Sequence, residues 1–137
     1  MMKRILLKTA LIAFAATVPF TASAQAALEG QWRNVKGSVT VKVVPCGNPW
    51  CANVVDATEK AKAGARRGGT PNLIGTRILT GLRPAGNNTY KGLAFDPKRN
   101  IRVPATVRVL SPNAITVRGC AIAGMLLCKE QRWTRVS

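Results

Sequence analysis

The chain has 137 residues, with 21 Lys and Arg against 5 Asp and Glu, no His and 4 Cys; its formal net charge is +16 and 47% of its residues are hydrophobic. That length suits one domain, and the apolar fraction supplies a core, which argues against wholesale disorder. The lack of His removes the commonest general base and the commonest zinc ligand. The five carboxylates, Glu29, Asp56, Glu59, Asp96 and Glu130, show no pairing suited to acid–base catalysis, and Gly64–Gly69 lacks the Lys-Ser/Thr ending of a phosphate loop. The expectation is a non-enzymatic protein with no cofactor and no metal.

Residues 1–24 read as a cleavable export signal. Lys3, Arg4 and Lys8 form the basic start, Thr9 to Phe20 is apolar, and Ala22-Ser23-Ala24 offers the small residues a signal peptidase reads. Ala24-Gln25-Ala26 allows a second cut after Ala26. The apolar stretch is too short for the roughly 20 residues that span a bilayer, so the chain is not expected to be membrane-spanning. The expected product, 25–137, is one periplasmic or secreted domain. It loses three of the basic residues and none of the acids, so it stays strongly cationic.

The elements then follow in order. Gly30 to Asn34 is a short strand, and Lys36-Gly37 turns it. Ser38 to Pro45 alternates Val39, Val41 and Val43 against Thr40 and Lys42, the pattern of a half-buried strand. Gly47-Asn48-Pro49 turns the chain into Trp50 to Asp56. Ala57 to Ala65 has room for one or two helical turns, ended by Gly64, Gly68 and Gly69. Leu73 to Leu82 and Thr89 to Phe95 are further strands. Ile101 to Leu110 places Ile101, Val103, Ala105, Val107 and Val109 on one face, with Arg102, Thr106 and Arg108 outward. Ser111-Pro112-Asn113 leads to Ala114 to Cys120, and Glu130 to Val136 closes the chain. About eight strands joined mostly by short turns predict an all-β fold, a small antiparallel up-and-down β-barrel, because closure removes exposed sheet edges.

In an exported domain four Cys read as two disulfides. Three pairings exist. The favoured one is local, Cys46 with Cys51 and Cys120 with Cys128, since each pair brackets a short loop. A four-Cys zinc site fits the spacings poorly.

Several motifs in order resemble the bacterial domain-of-unknown-function family 2147. They are Gly30-Gln31-Trp32, the Cys46 to Cys51 loop, Asn72 to Leu82, Arg118-Gly119-Cys120, Leu127-Cys128-Lys129 and Gln131 to Val136. The resemblance spans Gly30 to Val136 and implies a small exported, lipocalin-like barrel with no settled activity. The segment after Asp56 departs from it: Ala57 to Thr70 is strongly basic, where the family carries Asp and Asn. The opening Gly30-x-Trp32 is similar to the lipocalin signature, in which a first-strand Trp packs under an Arg of the last strand. Arg132 or Arg135 would supply that contact, and Trp32 and Trp133 meet only if the barrel closes.

Two kinds of partner are expected. A lipocalin-like interior suits a small amphipathic or lipid-like ligand, with Arg77, Tyr90 and Arg118 as the residues to meet it and Gly92, Ala105 and Gly119 leaving space. A filled barrel without a cavity stays equally open. The apolar run Ala121 to Leu127 reads as a loop that serves as a lid or plug or touches a membrane. The basic surface, densest at Lys60, Lys62, Arg66 and Arg67, suits an anionic envelope component: a polymer, a membrane surface or an acidic protein. Nucleic acid is disfavoured, because one Tyr and few Phe give no stacking ladder among the basic residues.

Overall fold

The computed structural model describes residues 27–47, 49–122 and 126–137, together with Ala13 and Ala15. The expected signal at 1–24, apart from those two positions, and its cleavage sites therefore lie outside the described residues.

Eight strands follow in sequence: β1 (Gly30–Asn34), β2 (Val39–Pro45), β3 (Trp50–Ala57), β4 (Arg77–Pro84), β5 (Thr89–Asp96), β6 (Ile101–Ser111), β7 (Ala114–Ile122) and β8 (Leu126–Arg135). One helix, α1 (Glu59–Arg67), lies between β3 and β4. Each strand pairs antiparallel with the next, and β1 pairs with β8, so the sheet is a closed up-and-down barrel. The seam is short. Trp32–Arg135, Arg33–Thr134 and Asn34–Trp133 pair β1 with β8, and just past β8 the ladder continues at Gln31, whose N–H donates to Ser137 O at 3.0 Å and whose carbonyl accepts the Val136 N–H at 2.9 Å.

Alternation sets the two faces. On β6, Ala105 and Val107 are buried while Arg102 and Arg108 are exposed. Val41 and Val43 of β2, Ala52 and Val54 of β3, Leu79 and Leu82 of β4 and Ile115 of β7 complete the inner layer with Trp32, Trp50, Tyr90 and Trp133. Tight turns hold the register. Asn87 and Asn88 both take positive φ, 50° and 56°, the conformation that matches a two-residue hairpin turn to strand twist.

Three departures from the sequence reading go beyond a shift of one or two residues at a strand end. Residues 73–76 are a turn rather than the start of β4: the Thr76 N–H donates to Leu73 O at 3.0 Å, and Gly75 has φ +86°. The helix passes through Gly64 and stops at Gly68, after starting at Thr58, whose hydroxyl accepts the Ala61 N–H at 3.2 Å. The apolar run after Cys120 is mostly strand: β7 continues to Ile122 and β8 begins at Leu126, with the intervening 123–125 outside the described residues.

Helix α1 straps one end of the barrel. Its start is tied to the β1–β2 turn, where the Thr58 N–H donates to Ser38 O at 2.9 Å. Just past its end, the Thr70 hydroxyl donates to Pro97 O in the β5–β6 turn at 2.9 Å. Ala61 and Ala65, one turn apart, face the core, and their small side chains let the helix backbone settle close to it.

Candidate functional site

The two ends of the barrel differ. At the end where the chain enters β1, packing is complete. The Trp32 indole N–H donates to Leu28 O at 2.9 Å, and the Arg135 guanidinium lies 4.2 Å from the centre of the Trp32 ring. Of the two Arg expected to fill this role, Arg135 does so, while Arg132 is exposed on the outer face of β8. Arg135 also donates to Glu29 O and Ala27 O at 2.6 Å and to Pro112 O at 2.7 Å. A shallow cleft of about 460 Å³ lies outside this plug, between Ala27, the β6–β7 turn and Arg135.

Toward the other end, which α1 straps at the β1–β2 and β5–β6 turns, the inner face of β6–β8 opens by degrees. Along β6, Val107 is 0% exposed, Ala105 is buried, Val103 is half-buried and Ile101 is exposed. On β7, Ile115 is buried while Val117 and Gly119 are half-buried. On β8 the register places Gln131 opposite Val117, Lys129 opposite Gly119 and Leu127 opposite Ala121. These three share the face of Trp133 by alternation, yet all are exposed. The cause is where the seam stops: β1 ends at Asn34, level with Trp133, so among the described residues β8 beyond that point has no strand on its other side.

The expected site residues fall in different places. Tyr90 is 1% exposed and pairs with Val107 in the closed half, where burial pushes its phenol above the usual value. Arg77 is exposed beside Asn53, and its Nε donates to Asn53 Oδ1 at 3.2 Å, because a bulge between β3 and β4 turns it outward. Arg118 is exposed on the outer face, opposite Glu130 and Thr106. Neither arginine lines the interior. Gly92 does not leave space either. A Cβ there would collide with the Thr80 carbonyl oxygen, because a bulge at Gly81 (φ +61°) leans the β4 backbone against it. Ala105 is buried beside it, and a Cβ on Gly119 would lie 3.2 Å from Val103 Cγ2.

Two buried donors were absent from the sequence reading. The indole N–H groups of Trp50, beside the β2–β3 turn in the closed half, and of Trp133 are buried and have no hydrogen-bond partner among the described residues. A buried unpaired donor carries a desolvation cost that an acceptor would relieve. Trp133 sits directly beneath Gln131 and Lys129 on the inner face of β8. Starting that strand at Glu130 hid this alternation; starting it at Leu126 reveals it.

Both disulfides are local, Cys46–Cys51 and Cys120–Cys128. Cys120 and Cys128 are directly opposed on β7 and β8, beside the open half. Among the described residues no helix is long and apolar enough to cross a membrane, and no group of His, Cys, Asp or Glu is placed to hold a metal.

The basic cluster divides in the structure. Lys62 pairs with Glu59 at 3.0 Å. Lys60 and Arg67 instead line a cleft of about 320 Å³ with Gly64, Gly68 and Lys98, while Arg66 is exposed away from that lining.

No curated protein matches the sequence. Among solved structures the chain is similar to protein HP1028 from Helicobacter pylori, described as belonging to the lipocalin family; the TM-score is 0.60 at 16% identity, covering 80% of this chain and 83% of that one. That likeness concerns the fold, and the barrel described above is lipocalin-like. The model of a family described as uncharacterized proteins conserved in bacteria matches residues 30–135, the whole barrel from β1 to β8, and the chain therefore belongs to the DUF2147 family.

Proposed function

We propose that the protein is an exported, periplasmic or secreted binding protein for a small amphipathic or lipid-like molecule, acting by binding and not by catalysis. One observation carries the reading: the unpartnered Trp133 N–H lies beneath an inner face that is open to solvent. Val103, Val117 and Gly119 give that face an apolar wall, and Lys129 and Gln131 give it polar groups at the rim. An apolar body with an acidic or acceptor-bearing head matches both parts. The two disulfides support an oxidising location.

The test is a fluorescence titration with an anilinonaphthalene sulfonate, an amphipathic anion, together with mass spectrometry of an organic extract of the natively purified protein. Saturable binding at one site is expected. Val117→Phe should abolish it by filling the wall, and Lys129→Gln should weaken it about threefold to tenfold by removing one charge-assisted contact. Binding that ignores Val117→Phe in a variant of unchanged melting temperature would sink the reading.

A second reading, docking of the basic surface on an anionic envelope component, draws support from the cations around α1, where Lys60, Arg67 and Lys98 are outside the two ion pairs found among the described residues.

A further inference from the structure

The cleft beside α1 is built from two separate parts of the chain. Lys60, Gly64 and Arg67 fall on one helical face, at spacings of four and three residues. Lys98 comes from the β5–β6 turn. The ends of Lys98 and Arg67 converge over Gly64, where an added Cβ would lie 3.5 Å from Lys98 Cε and 3.8 Å from Arg67 Nη2, and Lys60 lines the same cleft. No carboxylate lines the cleft. The neighbouring acids are already engaged, Glu59 with Lys62 and Asp96 with Arg99.

The turn that carries Lys98 is held in place. A Cβ on Gly68 would collide with the Lys98 carbonyl, so the glycine lets the helix end press against the turn. The Thr70 hydroxyl holds Pro97 O, and Asp96 Oδ1 accepts the Lys98 N–H at 2.9 Å. Basic residues in the last turn of a helix are expected to answer its dipole, and that accounts for Arg66 and Arg67. It does not account for Lys60 in the first turn or for Lys98 on another element. Like charges held together on a braced frame, with no acid between them, make a site that an anion completes.

We propose that this cleft binds a phosphomonoester group. Three cations lining one cleft match a dianion better than a singly charged carboxylate or phosphodiester, and the Arg67 fork suits two phosphate oxygens at once. This narrows the second reading to one cleft and one chemistry, and it stands whether or not the barrel holds a ligand.

The experiment has two arms. In one, glycerol phosphate is titrated by calorimetry. In the other, binding is measured to vesicles containing phosphatidic acid, a lipid phosphomonoester, and to vesicles of equal charge containing phosphatidylglycerol, a phosphodiester. Lys98→Ala and Arg67→Ala should each weaken phosphomonoester binding about tenfold. Arg108→Ala, which removes one charge from the outer face of β6, should change it less than twofold. Gly64→Glu should abolish binding by placing a carboxylate between the cations, and replacing a mid-helix glycine should not weaken the helix. The same pattern in Val117→Phe separates this site from the barrel interior. Losses in the soluble arm assign a free phosphomonoester; losses confined to the phosphatidic acid vesicles assign a lipid headgroup. Equal losses for Lys98→Ala and Arg108→Ala in both arms, or no preference for monoester over diester, would overturn the proposal.

Discussion

Arg135 lies 4.2 Å from the ring centre of Trp32 and is also its register partner across the seam between the last strand and the first. The same guanidinium donates to three backbone carbonyls, at Ala27, Glu29 and Pro112. One side chain thus links the entering chain, β1, and the β6–β7 turn. Arg135→Ala should cost about 3 kcal/mol, the scale of removing several charge-assisted hydrogen bonds and a cation–π interaction at once. Arg135→Lys should recover less than half, because an ammonium cannot present a planar fork. Urea denaturation of the three proteins measures both effects.

Gly92 gives a sharper contrast. Gly92→Ala forces a methyl group into the β4 backbone and should cost about 2 kcal/mol or more, as overpacking does. Gly119→Ala meets only a valine methyl, at 3.2 Å, and should cost under about 1 kcal/mol. Equal melting temperatures for the two variants would refute the bulge contact.

Tyr90 should make stability depend on alkaline pH. Its phenol is raised above the ordinary value of 10.0 by burial, so the folded state keeps a proton that the unfolded state releases. The contribution is complete below that ordinary value and is lost as pH climbs through the raised one. Urea midpoints at pH 8 and pH 11, with the disulfides intact, should fall further for the parent than for Tyr90→Phe.

The two disulfides close short loops, with sequence separations of 5 and 8. Chain entropy puts each at about 2–3 kcal/mol. Their local effects should differ. Replacing Cys120 and Cys128 by Ala should raise amide exchange in the part of β7–β8 beyond the seam and leave Trp32 and Leu28 protected. Replacing Cys46 and Cys51 should act on the β2–β3 turn. Hydrogen exchange read by mass spectrometry separates the two.

The barrel was legible because strand alternation, turn residues and the two terminal tryptophans all point the same way. Val39 to Val43 and Ile101 to Val109 show their inner faces in the sequence alone. The site was less legible because it depends on where strands stop. Residues 73–76 carry strand-like side chains but bend at Gly75, and Leu73 is buried in the core cluster that also holds Ala61 and Ala65 of α1. Gly92 reads as vacant space until the β4 bulge is seen to fill it. Arg77 and Arg118 stand in apolar surroundings in the sequence, and only the register shows that they face outward. Lys98 joins Lys60 and Arg67 through tertiary packing that no local pattern records.

The seam between β1 and the end of the chain has a consequence for how the molecule is made. A chain produced from its N-terminus holds β1 long before β8 exists, and the Arg135 hydrogen bond to Glu29 bridges 106 positions. Loops of that length close slowly, and no shorter fragment contains both halves of the seam. Until its final strand is available the barrel lacks the partner that closes on β1. Closure therefore needs the far end of the chain, and Arg135 ties it to the beginning.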